Sequence, residues 1–188
     1  MTTLETLPDT VASGATARAP LRARVSWMLF DWASQPFYTL VQTFLFAPYF
    51  ANVVAGDAVG GQALWGYAAA TAGLLIAIAS PFLGAVADGR GRRKLWMLAL
   101  SFFFVVGLCT LWLAVPGATQ SMIFAVLAGF VLSTLAVELM AVFSNAIMTG
   151  LAPKDELGRL SGTGWAVGYF GGLASLALVA GFLVPLPG

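Results

Sequence analysis

The stretch LWMLALSFFFVVGLCTLWLAVPGATQSMIFAVLAGFVLSTLAV, residues 95–137, contains no charged side chain. A membrane-crossing helix needs about 20 apolar residues. The stretch is too long for one crossing, and it divides at Pro116-Gly117, a turn signal. Upstream of it lie Arg90, Arg92, Arg93 and Lys94, downstream lie Lys154 and Arg159, and the remaining cations are Arg18, Arg22 and Arg24. These three clusters hold every cation of the chain. With five crossings and the N-terminus inside, all three fall on the cytoplasmic face, where positive loops gather. If the stretch were a single crossing, Lys154 and Arg159 would move to the outside. Charge therefore tests the count independently of hydropathy.

Working outward, the predicted spans are about 25–54, 63–87, 95–115, 120–150 and 160–184, with Gly56 to Gln62 as the first outer loop. Pro81 allows a bend in span two. Residues 1–24 are rich in Thr, Ala, Pro and Arg and lack a compact apolar run, so they read as a disordered cytoplasmic tail before a transmembrane domain over 25–188. Composition agrees. A 188-residue chain that is 60% hydrophobic and 9% charged, with mean hydropathy +0.89, cannot hide its apolar residues in a core of its own. The fold class is an all-α, multi-pass integral membrane protein whose main partner is the lipid bilayer.

The net charge of +1 leaves no case for nucleic acid as a partner. One cysteine, Cys109, and no histidine exclude disulfide frameworks and Cys/His zinc sites, so no metal and no cofactor is expected. No cluster pairs a nucleophile with a base, and an enzyme is not expected either.

Function should show in residues that lipid disfavours. An ionisable side chain at mid-bilayer costs about 2.5–3.5 kcal/mol on insertion scales and needs a compensating environment. Two such residues occur, Asp31 and Glu138. At 100° per residue Asp31, Gln35, Tyr38, Gln42 and Tyr49 fall within roughly 60° of one another on span one. Thr134, Glu138, Asn145 and Thr149 do the same on span four. Spans two and three carry only scattered hydroxyls. Spans one and four are thus predicted to face something polar, with Asp31, Gln35, Tyr38, Gln42, Glu138 and Asn145 as a candidate substrate or proton pathway, and span three to face lipid. At 1.5 Å per residue Asp31 lies roughly 9 Å from the cytoplasmic start of span one, Asn145 roughly 7.5 Å from the cytoplasmic end of span four, and Glu138 roughly 18 Å from that end. An Asp31–Asn145 hydrogen bond is therefore expected in preference to an Asp31–Glu138 contact. Two readings of the acids stay open. A carboxyl in a partly wet cavity can load a proton or hold a cationic group of a solute. Alternatively, it is a satisfied group that locks neighbouring helices.

The loop after span two reads Gly84-Ala85-Val86-Ala87-Asp88-Gly89-Arg90-Gly91-Arg92-Arg93-Lys94. It resembles the signature between the second and third helices of the major facilitator superfamily (MFS), with Gly89 where a basic residue is usual. In such a loop Gly91 supports a tight reversal, and Asp88 with Arg92 can make charged contacts that hold a cytoplasmic gate, with Gly84 and Arg93 as further members of the motif. Phe30-Asp31-Trp32-Ala33-Ser34, Pro48-Tyr49-Phe50, Phe143-Ser144-Asn145-Ala146 and the run from Leu160 to Gly172 resemble the vacuolar-effluxer-like branch of that superfamily, which is associated with amino-acid release. The resemblance implies most of an amino-terminal six-helix half, with helices one and four lining the cavity. It also implies a small-molecule substrate, alternating access and a bacterial inner-membrane location. The superfamily has about twelve helices in two halves, so a second half, or a partner subunit supplying it, is expected to complete the path.

On span five Gly164, Gly168 and Gly172 recur every four residues, a small-residue face for close helix contact. As an alternative to transport, that face would dock a non-transporting module or split-transporter subunit onto a partner. The run also resembles the glycine-rich fifth-helix motif of superfamily antiporters, but Tyr169 stands in place of its proline, and antiport is not read from it.

Overall fold

The computed structural model describes residues 18–88 and 92–183, and no strand occurs among them. Among the described residues five helices are long and apolar enough to cross a membrane: span one Leu21–Val54, span two Ala58–Ala85, span three Arg93–Leu113, span four Gln120–Met148 and span five Lys154–Phe182. The chain is an all-α membrane protein. Helices are the outcome that lipid requires, because an open chain there leaves its backbone N–H and C=O groups unsatisfied.

The turns between spans are tighter than hydropathy predicts. Gly56 and Gly117 take positive φ values of 70° and 75°, the left-handed conformation that glycine adopts without cost. The loop expected over Gly56 to Gln62 is mostly helix, because Asp57 caps span two: its carboxylate accepts from Val59 N at 3.2 Å and Gly60 N at 2.9 Å. Thr119 caps span four by accepting from Met122 N at 3.4 Å. Span one begins at Leu21 rather than Val25, since the Pro20 carbonyl accepts from Ala23 N at 2.9 Å and closes the first turn. Of the predicted tail, residues 1–17 lie outside the described residues. Span two continues through Pro81 to Asp88.

Span four is the hub. Half of its most apolar window is buried (50%), against 6% for span three, and spans two and three flank it while span five lies against span one. Spans three and four meet at a pair of glycines. A Cβ on Gly107 would lie 2.6 Å from the Gly129 carbonyl oxygen, and one on Gly129 would lie 2.7 Å from that of Gly107. Ser133 Oγ, buried in this contact, donates to the Phe104 carbonyl at 3.2 Å. Spans one, two and four share an aromatic core in which Trp65 stacks on Phe130 at 3.9 Å and packs against Phe50 at 5.3 Å. The outer face of span three exposes Leu98, Phe102 and Val105.

Span one departs from regular winding. It is α-helical over Leu21–Pro36 and Phe46–Tyr49, and wider π-helix over Phe37–Phe44 and Phe50–Val54. The i→i+5 bonds Leu45 N to Leu40 O (3.1 Å) and Ala55 N to Phe50 O (2.9 Å) close the wide turns. Pro36 and Pro48 lack the N–H that would enforce ordinary pairing. The Trp32 carbonyl, four residues before Pro36, consequently receives no helical N–H from that position. Span five covers it with Gly171, where a Cβ would sit 2.6 Å from the Trp32 oxygen.

Candidate functional site

A cleft of about 340 Å³ opens between spans one, four and five. Span one supplies Asp31, Gln35 and Tyr38, span four supplies Glu138 and Asn145, and span five adds Ser161 and Trp165. The structure therefore brings five of the six predicted pathway residues to one cavity. Gln42 lies beyond it and donates from Nε2 to Thr134 Oγ1 at 3.3 Å. Tyr38 Oη donates to Glu138 Oε1 at 3.1 Å. These bonds are successive rungs between antiparallel helices, spaced four residues apart on each side. Both start from the π segment of span one.

Two expectations fail here. No hydrogen bond joins Asp31 to Asn145; both line the cleft, and among the described residues the Asp31 carboxylate accepts no hydrogen bond. Levels counted along two separate helices do not fix the gap between them. Tyr49 leaves the stripe and donates to the Ala114 carbonyl at the end of span three, at 2.9 Å. A projection at 100° per residue assumes α winding, and wide turns between Tyr38 and Tyr49 rotate Tyr49 away.

The chemistry of the lining is one-sided. It holds two carboxyl groups, the amides of Gln35 and Asn145, hydroxyls and three aromatic rings beside Tyr38, and among the described residues no cation. Trp27 anchors one end, its Nε1 donating to the Ser144 carbonyl at 2.9 Å. Neither Trp27 nor Trp165 stands out in the sequence, because an aromatic residue in an apolar run carries no polar signal.

The chain is similar to an MFS-type transporter. It is 27% identical over 150 residues to the uncharacterized MFS-type transporter YxiO of Bacillus subtilis (strain 168), an alignment covering 78% of this chain and 34% of the relative. The chain spans about a third of the length of the curated relative it matches. No family model and no solved structure matches it.

The glycines of span five run directly behind the polar stripe of span one. A Cβ on Gly164 would meet the Trp27 ring at 2.5 Å, one on Gly168 would meet Asp31 Cβ at 3.2 Å and Gln35 Cγ at 3.3 Å, and one on Gly172 would meet Thr39 Oγ1 at 2.6 Å. This face is occupied within the chain and is not free to dock a partner, contrary to the expectation for a packing module. Its effect is positional: it seats Asp31 and Gln35 against the cleft.

At the opposite side of the hub, Arg93 Nη1 donates to the Ala146 carbonyl at 2.9 Å. The last carbonyls of span four lack intrahelical donors, and a cation opening span three meets one of them. Arg92 precedes span three and is exposed, and Gly84 faces open space. Gly91 and the side chain of Asp88 lie outside the described residues, so the expected Asp88–Arg92 latch does as well.

The Tyr38–Glu138 rung has a measurable energy. A double-mutant cycle of Tyr38→Phe and Glu138→Ala, read by unfolding in mixed micelles, should return a coupling of about 0.6 kcal/mol, the average for hydrogen bonds between membrane helices. Strict additivity would mean that the rung contributes nothing.

Proposed function

We propose that this chain is the amino-terminal portion of a secondary transporter that moves a small polar solute by alternating access. The observation that carries the proposal is the cleft: in a chain this apolar, the two intramembrane carboxyls, Asp31 and Glu138, and the amides of Gln35 and Asn145 line one cavity between spans one and four. Similarity to an MFS-type transporter supports the same reading.

In this reading the N-terminus and the three basic clusters lie in the cytoplasm of a bacterial cell, with the spans in its inner membrane. The solute carries a cationic group, since the lining offers carboxylates and rings but no cation of its own. An amino acid fits, in keeping with the effluxer-like segments. Asp31 meets the solute ammonium or a coupling proton, Gln35 and Asn145 bond its polar atoms, and the rungs at Tyr38 and Gln42 hold spans one and four together around it. Asp88 and Arg92 latch the cytoplasmic side. The remaining wall comes from a second half, because transporters of this design bind substrate between two repeats.

The test is flux. The chain, reconstituted in liposomes with the helices its gene or a co-purifying subunit supplies, should give saturable uptake of a radiolabelled amino acid that responds to a proton gradient. A stably folded preparation that moves no amino acid under any gradient would remove amino-acid transport as the function.

A further inference from the structure

A second cavity, of about 180 Å³, lies between the first turns of spans one and five, separate from the cleft. Arg18, Arg24 and Arg159 line it, with one acid, Glu156. Arg18 is committed to that acid: its Nε donates to Glu156 Oε2 at 2.9 Å, and its Nη2 pairs with Oε1. Among the described residues, Arg24 and Arg159 have no ion-pair partner. The pocket thus carries two guanidinium groups in excess of its acids. Met28 and Leu160 give it an apolar side.

We propose that this pocket binds an anionic phosphate group. Guanidinium presents planar paired donors that match phosphate oxygens two at a time, which a point charge such as lysine does not. The place in the fold points to the same chemistry. Arg24 lies one turn inside the start of span one and Arg159 near the start of span five, at the ends of membrane helices, where headgroups lie. Basic pockets between helix ends hold anionic headgroups there. A phospholipid would set its phosphate between Arg24 and Arg159 and its first methylenes along Met28 and Leu160. Free phosphate would use the same two groups without the apolar side.

The experiment uses the full chain in detergent and has two arms. Native mass spectrometry compares retention of phosphatidylglycerol with phosphatidylcholine, and thermal unfolding compares inorganic phosphate with chloride at equal ionic strength. Phosphatidylglycerol should be retained about tenfold better than phosphatidylcholine, with the preference lost in the Arg24→Gln/Arg159→Gln double variant and kept in Arg92→Gln, a cation outside the pocket. If that double variant does not fold, Glu156→Gln serves instead: it releases Arg18 into the pocket and should strengthen retention. A phosphate-dependent rise in melting temperature without lipid preference, abolished in the Arg24→Gln/Arg159→Gln double variant or enlarged in Glu156→Gln, assigns the site to free phosphate and still supports it. The proposal is overturned by equal retention of both lipids with no phosphate effect, or by binding that neither Arg24→Gln/Arg159→Gln nor Glu156→Gln alters.

Discussion

Gly129→Leu should lower the stability of the chain by about 3 kcal/mol, with loss of the pairing between spans three and four. The cause is what the new side chain meets. Its Cβ alone would lie 2.7 Å from the Gly107 carbonyl oxygen, a backbone atom that cannot rotate aside, and close upon the Thr110 side chain. Spans three and four would have to separate, and with them Ser133 would lose the Phe104 carbonyl. Gly73→Leu is the matched control, because nothing lies within 4 Å of a Cβ there. It introduces the same side chain into span two, also in an apolar helix. Helical signal followed through denaturant titration in micelles measures both. Equal midpoints for the two variants would show that the glycine contact does not hold the hub together.

In the proposed transport reading, the second large effect is on flux. Asp31→Asn should reduce transport about tenfold or more, the consequence of losing one charge-assisted hydrogen bond, whereas Glu138→Gln should cost clearly less. The asymmetry comes from their partners. Glu138 already accepts from Tyr38 Oη at 3.1 Å, and a glutamine oxygen can accept the same bond. Asp31 lines the same cleft, is seated by Gly168 behind it, and its carboxylate has no bond within the chain among the described residues. It is the group left available to a solute or a proton. Proteoliposome uptake under an imposed proton gradient measures both variants. Coupling unchanged in each would remove both acids from the mechanism, and a larger loss in Glu138→Gln would reverse their roles.

Much of this architecture can be read from residue pattern. Five helices follow from charge-free runs bounded by cation clusters, and the turn at Pro116-Gly117 is visible because proline and a left-handed glycine both interrupt helix. The co-location of Asp31, Gln35, Tyr38, Glu138 and Asn145 follows from the polar stripes, since a helix repeats at a fixed angle. Where that angle changes, the projection stops working, and Tyr49 is the residue lost. Contacts between helices are less legible. The pairing of Tyr38 with Glu138, rather than Asp31 with Asn145, depends on the separation and rotation of two helices, which neither sequence encodes by itself. The spacing of Gly164, Gly168 and Gly172 marks a close contact but not its partner, which is span one. Trp27 and Trp165 at the cleft, and Arg93 on the Ala146 carbonyl, use residue types that are equally common in ordinary spans and loops.

The wide coil over Phe37–Phe44 gives span one a joint at the level of its rungs. A π turn stores one residue more than an α turn, so tightening it to ordinary winding advances everything beyond it by one position and rotates it by roughly 100°. Gln42 would swing off Thr134, while the half of the helix that carries Asp31, clamped by the glycines behind it, stays where it is. Such a tightening would turn the outer end of this helix relative to the end that carries Asp31.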